Sequence, residues 1–282
     1  MELIGKEVPA PTAGCPLDDP MLDHVVNGIA WDAIADAQED AETAPRPTRD
    51  RFNWMQFRGQ GPGEELFGPL DGRLVLELGC GAGDALAFLA SRGSVGVGVD
   101  ASERQIQRAL SRWSGPLSGR VRFLHGDAAD VLTSLPEGHF DVAYSVFGAI
   151  GYADPSRLLP VVHRVLGPRG RLLFAVRHPL WPYPSEEPLD SRDARSAAGR
   201  RVVGLQLTAA GPSTVVRYCF PVEKWWSLCR EAGFDVDEVR ELRVPRASLA
   251  RWYCGRELEA MSHAAERFPC TLLLCATKPA WR

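Results

Sequence analysis

The chain has 282 residues, of which 45% are hydrophobic and 24% charged, with a formal net charge of −4. That length and composition fit one large α/β domain with a modest cap, and no apolar stretch approaches the length needed to span a bilayer. Three lysines (Lys6, Lys224, Lys278) and dispersed arginines make no basic face, so nucleic acid is not expected as a partner and a small molecule or peptide is.

The seven cysteines are scattered, with no Cys-x-x-Cys pair. Neither a disulfide framework nor a zinc site is suggested. The first residues lack the basic-then-apolar order of a signal peptide, so the cytoplasm is the expected compartment and no membrane is expected as a partner.

Residues Met1 to Pro20 read as an irregular arm rich in Pro and Gly. A helix is predicted from Met21 to Glu42, anchored by Ile29, Trp31, Ile34 and Ala35 and broken by Pro45 and Pro47. The aromatic segment Arg51–Phe57 and a Gly/Pro turn follow, then a short helix from Glu64 to Leu70. From there the rhythm is regular. Strands are predicted at Leu74–Leu78, Val95–Val99, Val121–His125, Val142–Val146 and Arg171–Val176. Helices are predicted between them at Asp84–Ser91, Glu103–Arg112, Ala128–Leu135 and Pro155–Leu166. Such alternation with short turns implies right-handed crossovers and a parallel, doubly wound sheet. Leu166-Gly-Pro-Arg-Gly-Arg171 reads as a helix stop and turn. The alternation pauses from Arg177 to Pro221, where a hairpin is predicted at Arg201–Leu207 and Thr214–Phe220. A helix at Val222–Ala232 and strands at Phe234–Leu242 and Pro269–Thr277 complete the chain.

Chemistry concentrates at the turn Gly79-Cys-Gly-Ala-Gly83. Glycine tolerates positive φ and has no Cβ to collide with a ligand, and the next helix turns its free N–H groups toward the turn. The second strand ends in a carboxylate, Asp100, placed to take ribose hydroxyls. Its plainer reading is a cap for the following helix at Ser102. A dinucleotide site would put the third glycine one position later than Gly83, and the Tyr-x-x-x-Lys dyad of short-chain dehydrogenases is absent.

Glu77-Leu-Gly-Cys-Gly-Ala-Gly83 resembles the first motif of class I S-adenosylmethionine-dependent methyltransferases. The likeness runs from about Trp31 to Pro279. It includes Asp100, His125-Gly-Asp-Ala128, Phe140–Phe147 and Leu166–Phe174. It also resembles a subgroup of bacterial small-molecule methyltransferases whose fifth strand ends in His-Pro, here His178-Pro179. The resemblance implies a Rossmann-like, doubly wound, seven-stranded sheet, mostly parallel with an antiparallel last strand. An N-terminal arm and helical cap (1–70) would cover a core (71–282) that carries a lid insertion at 177–221.

The resemblance further implies S-adenosylmethionine as cofactor, held by Gly79, Cys80, Gly81, Asp100, Ala101, Gln105, Asp127, Ala128, Ser145 and Trp54. Asp127 would contact the adenine amino group, and its plainer reading is a helix N-cap. An aromatic ring of the N-terminal segment, Trp31 or Trp54, would sit beside the sulfonium or merely cover the sheet. Tyr152, Arg177, His178, Trp181 and Tyr183 would line the acceptor site, with His178 as a general base or as a residue that only orders its loop. Related metal-dependent catechol enzymes place a carboxylate near Ser145, so serine there argues against a metal.

The expected activity is methyl transfer (EC 2.1.1) to a small, specialised-metabolite acceptor, with a homodimer left open. Two rival readings remain. One is a protein of this fold that catalyses a cyclisation or elimination, and the other is an NAD(P)-dependent oxidoreductase.

Overall fold

The computed structural model describes Leu17 and residues 19–39, 50–182, 186–188, 199–208 and 211–280. Most of the predicted N-terminal arm, the helix break at Pro45 and Pro47, and Tyr183 lie outside these residues.

A 3-10 turn (Pro20–Leu22) leads into the first α-helix, α1 (Asp23–Glu39). The strand–helix alternation then runs β1 (Leu74–Leu78), α2 (Asp84–Ser91), β2 (Val95–Asp100), α3 (Glu103–Trp113), β3 (Val121–His125), α4 (Ala128–Thr133), β4 (Phe140–Val146), α5 (Pro155–Val165) and β5 (Leu166–Arg177). Local chemistry sets the helix starts. Ser102 caps α3 by accepting from the Gln105 N–H at 3.1 Å, and Asp154 caps α5 by accepting from the Ser156 N–H at 2.9 Å, with Pro155 at the first helical position. The segment 166–170, expected as a turn, is the irregular start of β5, with Arg169 at φ 61° and a register shift against β4.

Beyond β5 lie β6 (Glu186–Pro188), β7 (Arg200–Thr208), β8 (Gly211–Cys219), α6 (Val222–Glu231) and β9 (Asp235–Leu242). Then come α7 (Arg246–Leu249), α8 (Gly255–Arg267) and β10 (Thr271–Thr277). The main sheet has the order β3-β2-β1-β4-β5-β10-β9. Its pairs from β3 to β5 are parallel, and β10 is antiparallel to both β5 and β9. This is the Rossmann-like, mostly parallel seven-stranded sheet with an antiparallel last strand. The predicted hairpin is β7–β8, paired from Arg200↔Cys219 to Thr208↔Gly211, and β6 joins it in a separate three-stranded sheet. The pair α7–α8 was not anticipated.

Side-chain alternation along β5 splits the core. Leu172, Phe174 and Val176 pack toward α4, α5 and α6, while Leu173 and Ala175 face α2, α3 and the aromatic segment with Phe52 and Trp54. Strands buried on both faces read as continuous apolar runs, which is why Leu-Val-Leu-Glu-Leu was recognisable. Each fully buried Leu or Phe contributes about 1.5–3 kcal/mol. The result is a rigid sheet whose strand ends can hold a site.

Candidate functional site

A cavity of about 280 Å³ opens at the carboxyl ends of β1, β2, β3 and β4, where sheet order reverses between β1 and β4. Open α/β sheets bind ligands at that place. Its floor is the β1–α2 turn. Gly79 sits at φ +78°, and a Cβ there would lie 2.4 Å from the Ala149 backbone nitrogen. Glycine is therefore required for the β1 turn to dock on the loop after β4. Gly81 is at φ +53°, and its absent Cβ would meet only Gln105 Oε1, at 4.0 Å, so this glycine leaves room for a ligand.

Asp100 lines the cavity at the tip of β2. Its Oδ1 accepts the Ser102 N–H at 2.9 Å and its Oδ2 accepts the Gly81 N–H at 2.7 Å. Burial pushes its carboxyl above the usual aspartate range, with the two backbone donors and His125 opposing that shift and Asp32 reinforcing it. Each oxygen keeps a second lone pair for a vicinal hydroxyl. Asp127 both caps a helix and faces the cavity: Oδ1 accepts the Asp130 N–H at 3.0 Å, and Oδ2 lies 3.7 Å from His24 Nδ1.

The roof is α1, which contributes His24, Asn27 and Trp31 to the lining. Buried polar groups clamp it. Asp23, 1% exposed, accepts from Arg201 Nε at 3.0 and 2.9 Å, from Arg201 Nη2, and from the Tyr218 hydroxyl at 2.8 Å. Asn27 donates to the carbonyls of Tyr152 (2.8 Å) and Val216 (2.9 Å) and accepts the Val216 N–H at 2.8 Å. Asp32 accepts from the Ser102 hydroxyl at 2.6 Å and the Arg104 N–H at 3.0 Å. The roof is thus bolted to β8, to the loop after β4 and to the start of α3. Sequence reasoning missed Asp23, Asn27 and Asp32. The local signal was the polar pair Asp23 and Asn27 on the face of α1 that carries Ile34, and Asp32, on the opposite face, gave none.

Of the residues expected at the cofactor, Gly79, Cys80, Gly81, Asp100, Ala101, Gln105, Asp127 and Ala128 all line this cavity. Cys80 is an inert wall, because burial pushes its thiol well above the ordinary value. Two others lie elsewhere. Ser145 ties β4 to β1 by donating its hydroxyl to the Leu78 carbonyl at 2.8 Å, and it accepts the Ile150 N–H at 3.4 Å. Trp54 is fully buried between Phe52 and Phe67, and its indole N–H donates to the Gly63 carbonyl at 2.9 Å. Trp54 covers the sheet, while Trp31 stands over the cavity.

The expected acceptor residues divide in the same way. Tyr152 lines the cavity and meets Trp31 edge to face, with centroids 5.7 Å apart and planes at 86°. Arg177 ends β5; burial raises the pKa values of Cys219 and Tyr253, and the Arg177 charge opposes that shift. Trp181 is buried in a separate cluster with Met55, Phe57 and Met261. His178 is 4% exposed and lies outside the cavity lining. The Leu180 N–H donates to its Nδ1 at 3.3 Å, so Nε2 carries the proton and donates to Glu241 at 2.9 Å. With both ring nitrogens engaged, this imidazole has no lone pair to offer a substrate hydroxyl. That geometry favours the loop-ordering reading of His178 over the general-base one.

Burial holds the His178 pKa below its usual 6.5, with Glu241 opposing that shift and Arg243 adding to it. A depressed folded value means the unfolded chain binds this proton first, so stability is lost as pH falls below 6.5. His178→Gln is expected to flatten that part of the Tm-against-pH curve. An unchanged slope would place the titrating group elsewhere.

Residues 75–170 match the methyltransferase domain family. A Haemophilus influenzae protein of uncharacterised function is 36% identical over 114 residues, covering 39% of this chain and 44% of that protein, so the aligned part spans less than half of that relative. A ubiquinone biosynthesis O-methyltransferase of Leptothrix cholodnii is 24% identical over 220 residues, covering 76% of this chain and 84% of that one. The crystal structure of an S-adenosylmethionine-dependent methyltransferase from Mesorhizobium loti superposes with a TM-score of 0.55 at 24% identity, over 74% of this chain and 93% of that one. Fold and site together define a class I methyltransferase architecture. Residues 75–170 thus match a methyltransferase domain, the chain as a whole shares the fold of S-adenosylmethionine-dependent methyltransferases, and S-adenosylmethionine is the cofactor that this likeness implies.

The residues present fit that cofactor. The open side of Gly81 and the unused lone pairs of Asp100 offer a close backbone approach and a diol acceptor in one cavity. Asp127 Oδ2 offers an acceptor for an exocyclic amine. Among the described residues no helix is long and apolar enough to cross a membrane.

Proposed function

We propose that the chain transfers the methyl group of S-adenosylmethionine to a small acceptor, and that the acceptor atom is a hydroxyl oxygen of a specialised metabolite. The observation that carries this reading is the single cavity in which the glycine turn, Asp100 and Asp127 meet beneath α1. Asp100 takes both ribose hydroxyls, and Asp127 takes the adenine amino group. Gly79, Cys80 and Gly81 pass under the amino-acid end, while Ala101, Gln105 and Ala128 flank the nucleoside.

The bound cofactor supplies an activated methyl on a sulfonium. The protein supplies alignment and dryness. Asn27 fixes α1 as the roof, and the edge-to-face pair Trp31–Tyr152 gives the open end of the cavity an aromatic wall. The oxygen preference is supported by the Leptothrix cholodnii relative, whose name records O-methyl transfer.

The test is production of S-adenosylhomocysteine when the protein is incubated with S-adenosylmethionine and a panel of hydroxylated small molecules, with methylated product followed by mass spectrometry. S-adenosylhomocysteine and O-methylated acceptor are expected in equal amounts, with the hydroxyl proton released to solvent. Acceptor turnover with no added methyl would overturn the reading.

A further inference from the structure

Phe147 is the first residue past β4 and lines the cavity beside Gly148 and Ala149. Its φ is +50°. A bulky side chain in the left-handed region is an outlier, and such strain survives only where the surroundings over-determine it. Here they do. The Phe147 N–H donates to the Ala175 carbonyl at 2.8 Å, so the residue is still held in register by β5. Gly148 then packs its Cα side against β1, where a Cβ would lie 2.3 Å from the Leu78 carbonyl oxygen. The chain must leave β4, turn sharply and pass under Gly79, and a glycine at 147 would do this without strain. Phenylalanine does it against its own preference and adds a third aromatic residue to a lining that already holds the Trp31–Tyr152 pair.

We propose that Phe147 is a specificity-determining residue that, with Trp31 and Tyr152, selects a planar, hydroxylated aromatic ring as the acceptor. This rests on the methyl-transfer reading above. The three rings offer π faces and edges to a flat partner. An aliphatic alcohol or amine would gain only contact area from them.

The experiment separates this inference from the reading it rests on. S-adenosylhomocysteine is titrated first by calorimetry, and the loaded protein is then titrated by tryptophan fluorescence with hydroxylated benzenes and naphthalenes and with aliphatic alcohols and amines of matched size. Aromatic members are expected to quench, and Phe147→Ala to weaken them at least about tenfold, a clearly larger factor than its effect on S-adenosylhomocysteine affinity. Phe147→Gly is expected to lose the same binding yet melt above Phe147→Ala, the reverse of the usual order, because only glycine relieves the left-handed backbone. Failure of the wild type to bind S-adenosylhomocysteine would remove the methyl-transfer reading itself. With that ligand bound, the inference is overturned if the aliphatic panel binds as well as the aromatic one. It is also overturned if neither panel binds, if Phe147→Ala binds the aromatics normally, or if it loses S-adenosylhomocysteine and aromatics in step.

Discussion

Asp100→Ala is expected to weaken S-adenosylhomocysteine at least about a hundredfold, a loss of about 3 kcal/mol, as read by calorimetry. Two effects add. The ribose loses a carboxylate acceptor, and a hydrogen bond to a charged group contributes about 1.5–3 kcal/mol. The N–H groups of Gly81 and Ser102 also lose their partner, so the glycine turn is no longer held against β2. Asp100→Asn keeps the shape but turns one acceptor into a donor facing an N–H, and is expected to fall between the two.

The same carboxyl sets a pH dependence. Burial raises its pKa above 3.8, and accepting hydroxyls favours the charged form. Ligand affinity therefore declines as pH falls through that raised value, starting above the range where an ordinary aspartate begins to protonate. In Asp100→Asn the decline is expected to vanish. If it persisted there, another group would control binding.

Asp23→Ala is expected to cost about 3–5 kcal/mol of stability, because it leaves the Arg201 guanidinium part-buried without its carboxylate. It also strips the Tyr218 hydroxyl of its acceptor. The roof helix loses its tie to the β7–β8 hairpin, so cofactor affinity is expected to fall together with Tm. Tyr218→Phe removes one hydrogen bond and is expected to cost about 1 kcal/mol. Denaturant unfolding of the two variants checks both values. Equal small losses would show that α1 is held by its apolar face alone. Burial and the Asp23 carboxylate together raise the Tyr218 pKa, so this phenol remains a donor at any pH where the protein is folded.

The parts of this architecture readable in the sequence are those dictated by neighbours in sequence. The core strands are apolar runs, and the helices between them carry caps within three residues of their starts, such as Ser102 and Asp154. The glycine turn and Asp100 are one strand–helix–strand unit apart. What escaped depends on distant pairs. His178 looked like a free base because its partner, Glu241, stands 63 positions later on β9. Asp23 gave no sign of its role because its partner Arg201 lies 178 positions away. Trp54 could have faced either sheet or sulfonium, and only the packing of Phe52 and Phe67 decides. Helix α8 hid because its buried face is mostly small, with Met261, Ser262, Ala264 and Ala265 rather than leucines.

The most direct measurement is a crystal structure of the protein grown with S-adenosylhomocysteine. The account predicts both ribose hydroxyls on the Asp100 carboxylate, the adenine amine at Asp127 and the thioether beneath α1 near Phe147. Density for the nucleoside outside the β1–β2 edge, or a ribose with no contact to Asp100, would contradict it.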